Sequence, residues 1–212
     1  MTRQSENVVV ERKIVLFFDI CSSTSILEEL NRTENQLLWR NLLIGVKKYL
    51  KSKYRKMDFE IYKFIGDGWI LLFEPRREGL EILTFIRELS AKFISLYNRQ
   101  IKDVLTIRIQ NIGLTFGMDI GSCIRLIMNQ RPEYTGRPLV VAARLQGAIE
   151  QRDKRPQNKM LISNNLYATF SDRRSIEEKF KITPVQRNLK NIFGGENYEC
   201  KKIKLSRKAI AN

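Results

Sequence analysis

The sequence contains no histidine. That absence excludes Ser-His-Asp and Cys-His nucleophile systems, HExxH metal sites and imidazole as a general acid or base. Chemistry here has to run on carboxylates, lysine, arginine, hydroxyls and bound metal. Cysteine is scarce. Cys21, Cys123 and Cys200 are odd in number, far apart and without a CxxC pair, which argues against a disulfide framework or a zinc knuckle and for a reducing, cytoplasmic setting. Long apolar runs are also missing: the longest, 14–18 and 69–73, fall well short of the roughly 20 residues that a membrane-spanning helix needs. Glu6 and Glu11 sit where a signal peptide requires a basic start and an apolar stretch. Acidic residues are few, with 23 Asp and Glu against 38 Lys and Arg and a net charge of +15. That balance suits a polyanionic ligand: a nucleotide, a nucleic acid or an acidic membrane surface.

What is present reads as one α+β domain of 212 residues. A buried-strand run over 13–19 ends on Asp19. Ile26, Leu27, Leu30, Leu37, Leu38, Leu42, Val46 and Leu50 then recur at helical spacing and predict one long amphipathic helix. Two strand-like segments, 59–65 and 69–73, flank Gly66-Asp67-Gly68, which carries hairpin chemistry. A helix over 77–98 and a strand over 106–116 complete β-α-β-β-α-β, the ferredoxin-like unit, with both helices on one sheet face. Beyond it the sequence predicts a hairpin over 118–128, a helix from 139 to about 151, short elements over 160–170 and strands near 180–184 and 198–205. Residues 1–12 read as a flexible N-terminal segment and 205–212 as a basic tail, leaving 13–204 as the folded domain.

In such a sheet the first and third strands are neighbours, so Asp19 and Asp67 are expected side by side at one edge. Two carboxylates without His or Cys partners favour a hard cation, Mg²⁺ or Mn²⁺. Ser22, Ser23 and Thr24 follow at a helix entrance, where backbone N–H groups and small hydroxyls suit a triphosphate. Taken singly, Asp19 and the hydroxyls would serve as helix caps and Asp67 as a turn residue. The basic run Lys47, Lys48, Lys51, Lys53, Arg55 and Lys56 reads first as a solvated helix face. A nucleic-acid- or lipid-binding module is the competing class of function.

These segments resemble the catalytic domain of class III nucleotidyl cyclases. Phe17-Phe18-Asp19-Ile20-Cys21-Ser22-Ser23-Thr24 resembles the family's metal-binding start. Lys63-Phe64-Ile65-Gly66-Asp67-Gly68 resembles its K-x-x-G-D hairpin, and residues 133–145 resemble its D-Y-x-G-x-x-V-N-x-A-A-R-L segment. The resemblance runs through residues 13–204 in order and implies the ferredoxin-like core with an additional C-terminal helix and strands. It implies a nucleoside triphosphate substrate cyclised to a 3′,5′-cyclic nucleotide and pyrophosphate. It further implies two divalent metal ions on Asp19, Asp67 and the Ile20 carbonyl, and catalytic Arg144 on the α-phosphate. Lys63 and Glu133 match the two base-selecting positions.

The resemblance also implies a head-to-tail homodimer with sites at the interface, nucleic acid being no expected partner. Val140 departs from the pattern, standing where the family has an asparagine that orients the ribose. Lys190 is the candidate for the family's phosphate-binding lysine. A Lys and carboxylate pair fits adenine and also the uracil N3–H and O4. The longer Glu133 favours the smaller base, UTP before ATP, with CTP also open. A short chain without sensor or anchor resembles the solitary bacterial pyrimidine cyclases of antiphage signalling, whose cyclic UMP would be read by a downstream effector. An adenylate cyclase or a catalytically degenerate binding module remain the alternatives.

Overall fold

The computed structural model describes residues 9–75 and 78–205. In chain order the elements are β1 (Val9–Cys21), α1 (Ser23–Arg32), α2 (Gln36–Met57), β2 (Phe59–Ile65), β3 (Gly68–Phe73), α3 (Gly79–Gln100), β4 (Gly113–Met128) and β5 (Arg131–Thr135). They continue with α4 (Arg137–Arg152), β6 (Lys159–Ser163), α5 (Asn164–Thr169), α6 (Arg173–Lys179), β7 (Lys181–Arg187) and β8 (Tyr198–Lys204). Seven strands form one sheet in the order β2-β3-β1-β4-β6-β8-β7, with β5 added to β4. The first four keep the expected neighbours: β1 lies between β3 and β4, antiparallel to both. The fold is α+β, as the sequence predicts.

Strand alternation divides β1 between two cores. Ile14, Leu16 and Phe18 are fully buried against α1, α2 and α3, which pack on one face. Val15 points to the other face with Ile70, Leu72 and Cys123, where Ala142 of α4 meets them. Among the described residues only α4 covers this second face near β1, and Phe17, Tyr62, Ile65 and Tyr134 remain half-buried there. Gly117 of β4 is the seat of α4. A Cβ at 117 would overlap the backbone carbonyl of Ala142 and the backbone nitrogen of Gln146, so the helix lies closer to the sheet than any side chain permits.

The structure corrects four expectations. The long helix is broken between Arg32 and Gln36: Glu34 adopts φ 57 and the Thr33 N–H closes α1 on the Glu29 carbonyl at 3.0 Å. Apolar spacing continues on both sides of the break and hides it. Residues 105–112 are a loop instead of the start of a strand. Glu29, 4% exposed, anchors it by accepting from the Thr106 N–H at 3.0 Å and the Thr106 hydroxyl at 2.6 Å, while Asn111 turns at φ 58. The expected hairpin over 118–128 is part of one continuous strand, and the reversal falls at Asn129 and Gln130, both at positive φ (51 and 61). Residues 9–12, read with the flexible segment, extend β1 and pair with β4 from Arg125 to Ser122. Residues 1–8 and 206–212, which carry the rest of that segment and nearly all of the basic tail, lie outside the described residues. So do 76 and 77, the latter being where the second expected helix was to begin. The helix is described from Gly79, its first N–H groups donating to the Asp172 carboxylate.

Candidate active site

The register of β1 and β3 brings Asp19 to Asp67. Phe18 pairs with Trp69, so the next step along β1 faces Gly68 and the Gly66-Asp67 turn. Gly68 is required at this junction, since a Cβ there would overlap the Phe18 carbonyl and lie 3.0 Å from Asp19 Oδ1. The Asp67 N–H donates to the Ile65 carbonyl at 3.0 Å and closes the turn. Asp19 is pushed up to about 7, first by burial and then by the negative charge of Asp67 beside it. Its Oδ1 is buried and has no hydrogen-bond partner. An all-oxygen pair of this kind, with one acceptor left orphaned, fits a hard divalent cation. Among the described residues no three His, Cys, Asp or Glu side chains group to hold a metal. Further ligands would therefore be main-chain oxygen, such as that of buried Ile20, and atoms of a bound polyanion.

Ser22 links this pair to α1. It sits in the left-handed region at φ 60 and its hydroxyl donates to the Gln110 carbonyl at 2.9 Å, fastening the 105–112 loop to the turn. Ser23 opens α1, Thr24 is exposed in its first turn, and no acidic residue occupies that turn. The helix start therefore keeps its partial positive charge for an anion.

Lys63 and Glu133, 70 residues apart, form an ion pair of 2.8 Å, Nζ to Oε2. The Tyr62 hydroxyl donates to the same oxygen at 2.6 Å. Lys63 first and Tyr62 second hold the Glu133 carboxyl below its usual range, and Glu133 in turn raises Lys63.

Arg144 is exposed on α4, one turn beyond exposed Val140, so both project from the same stripe of the helix. Lys190 lies in the connection between β7 and β8, where it lines a recess of about 260 Å³ with Arg152, Arg187 and Ala148. The predicted residues thus fall into two groups, the carboxylate pair with the Ser22 turn and the Lys63–Glu133 pair, with Arg144 standing apart on α4.

Two residues were missed by sequence reasoning. Glu150 of α4 is near enough for its charge to raise Asp19, and its Oε1 accepts from the Thr115 hydroxyl at 3.4 Å. Tyr62 was passed over as a strand residue. Neither carries a local sequence signal, because each acquires its place from a tertiary approach.

No protein-family model matches the sequence, and no curated protein sequence matches it. Solved structures do match. The adenylyl cyclase CyaB from P. aeruginosa is 19% identical with a TM-score of 0.68, covering 96% of this chain and 100% of its own. A guanylyl cyclase is 15% identical with a TM-score of 0.68 and 97% of each chain covered. A bacterial light-regulated adenylyl cyclase is 15% identical with a TM-score of 0.66; it covers 98% of this chain, which spans 56% of that longer protein. The chain has the fold of the class III adenylyl and guanylyl cyclase domains.

Proposed function

We propose that this protein is a nucleotidyl cyclase, converting a nucleoside triphosphate to its 3′,5′-cyclic monophosphate and pyrophosphate. The observation that carries the reading is the buried, unpartnered Asp19 Oδ1 beside Asp67 at the joined ends of β1 and β3. Asp19, Asp67 and the Ile20 carbonyl are the residues that would hold two divalent cations, Mn²⁺ or Mg²⁺. Such ions, when bound, lower the pKa of the ribose 3′-hydroxyl and neutralise the β and γ phosphates.

The remaining roles belong to the chain itself. Ser22, Ser23 and Thr24 present hydroxyls and free N–H groups to the phosphates. Arg144, with a fixed fork of donors, neutralises charge that builds on the α-phosphate as the 3′-oxygen attacks and pyrophosphate leaves. The 3′-hydroxyl proton passes to water, so the reaction needs none of the histidine that the chain lacks. Lys63 donates to a base acceptor and Glu133 accepts from a base N–H. The half-open face beside α4, where Phe17, Tyr62, Ile65 and Tyr134 are only half-buried and Val140 of α4 is exposed, supports a homodimer in which one chain supplies the carboxylates and its partner supplies Arg144.

UTP is the proposed substrate. The uracil O4 and N3–H answer Lys63 and Glu133, and cyclic UMP would then act as a second messenger on an effector in bacterial antiphage defence. ATP is the second reading, favoured by the same ion pair because adenine N1 and N6–H₂ offer the same acceptor and donor. No helix among the described residues is long and apolar enough to cross a membrane. The test is incubation of purified protein with each of the four triphosphates in Mn²⁺ and in Mg²⁺, with products identified by mass spectrometry. Cyclic UMP is expected; cyclic AMP would move the assignment to the second reading, and no cyclic product from any of the four would refute the enzyme. Mixing inactive Asp67→Ala and Arg144→Ala chains should restore roughly a quarter of the wild-type sites, because half the dimers then carry one intact site of two.

A further inference from the structure

Strand β2 carries a bulge. Ile61 pairs with Leu71 and Lys63 with Ile70, so Tyr62 is an extra residue against β3. In a regular strand, positions 62 and 63 face opposite sides of the sheet. Here both side chains reach one atom, Glu133 Oε2, at 2.6 Å from the Tyr62 hydroxyl and 2.8 Å from Lys63 Nζ. The hydroxyl is itself located by the Tyr134 N–H, which donates to it at 2.8 Å. The Tyr62 ring stands edge-on to the Tyr134 ring with centroids 5.3 Å apart. Tyr62 therefore grips both the backbone of β5 and the carboxylate that β5 presents.

Two donors occupy Oε2, which leaves Oε1 as the carboxylate's other acceptor, beside the remaining Lys63 protons. Resting on the cyclase reading above, we infer that Tyr62 is a positioning residue for nucleobase selection. It pre-orders the Glu133 carboxylate so that one acceptor and one donor meet the base edge in fixed order. A carboxylate released from Tyr62 rotates to suit several base edges and must be ordered anew by each, so the favoured base loses most. Tyr62 touches none of the reacting atoms assigned above, so turnover at saturation is independent of it.

The experiment is kinetics of Tyr62→Phe with all four triphosphates, beside calorimetric binding of the same four with Ca²⁺ replacing Mn²⁺. Expected are a KM for the preferred triphosphate raised roughly tenfold, as loss of one hydrogen bond to a charged group predicts, and an unchanged kcat. The preference over the poorest triphosphate should narrow by a similar factor in both kinetics and binding. On a Glu133→Ala background, Tyr62→Phe should have no further effect on preference. A uniform loss of kcat with all four, or a preference that stays unchanged in Tyr62→Phe, would overturn the inference while leaving the cyclase intact. Wild-type protein that makes no product yet binds the four selectively would refute the cyclase, and the binding ratios would still judge Tyr62. Wild-type protein that neither turns over nor discriminates would overturn both.

Discussion

Replacing Gly117 by alanine tests how α4 is held and what its position does. The new Cβ would meet two backbone atoms of α4, the Ala142 carbonyl and the Gln146 nitrogen, neither of which can rotate away. Reaching even 3.0 Å, the shortest approach a real Cβ makes, requires the helix to lift by about 1 Å from the 1.9 Å overlap with the Ala142 carbonyl. Overpacking of this kind costs about 1–3 kcal/mol, which for a domain of this size lowers Tm by about 2–12 °C. If Arg144 meets the α-phosphate as proposed above, the same movement carries it away, and a displacement near 1 Å costs up to roughly a hundredfold in turnover. Gly147→Ala is the matched control. Gly147 lies in the same helix with nothing within 4 Å of the added Cβ, so alanine should stabilise by about 0.5–1 kcal/mol with turnover unchanged. Urea denaturation and cyclic-nucleotide production read the two effects separately. Equal stability of the two variants would refute the close seating of α4, and a destabilised but fully active Gly117→Ala would refute the dependence of catalysis on that seating.

Asp19 binds its proton more tightly in the folded chain, at about 7 against 3.8. Metal-free protein should therefore lose stability as pH rises from about 4 to about 7; Asp19→Asn should remove that slope in calorimetry and abolish the rise in Tm on adding Mn²⁺. Glu29 has the opposite sign, lowered to about 2 by Arg32 and by the Thr106 contacts. Its contribution is present above about 4.5 and lost as pH falls through about 2, so Glu29→Gln should flatten the acid limb of the stability profile. Val140→Asn restores a polar group on the Arg144 stripe of α4 and should raise kcat, measured at saturating triphosphate; an unchanged kcat would show that the ribose is oriented from elsewhere.

How much of this was legible beforehand depended on whether the signal was local. The Asp19 and Asp67 juxtaposition followed from strand order alone, and Gly66-Asp67-Gly68 marked its own turn. The Lys63–Glu133 pair came from family resemblance, since nothing in spacing joins residues 70 apart. The break at Thr33–Asn35 was missed because Leu30 and Leu37 both satisfy helical periodicity across it. Residues 106–112 read as the start of a strand in sequence, where Ile107 and Ile109 alternate with polar neighbours, whereas a buried carboxylate, Glu29, claims the Thr106 N–H. The reversal after β4 uses Asn129 and Gln130 without the glycine that usually announces it. A bulge such as that at Tyr62 leaves no mark in composition.

The one parallel pairing among the described residues, β4 with β6, gives α4 a role beyond packing. The chain between two adjacent parallel strands has to cross over a face of the sheet, and α4 lies within that crossing. Its side is then decided by chain connectivity, and strand alternation independently turns Asp19 toward the same side. The placement of α4 on the sheet face that carries the acidic pair is thus inherited from topology, leaving most other positions free to drift. That freedom accounts for how chains sharing only 15–19% of their residues superpose over nearly the whole of this one.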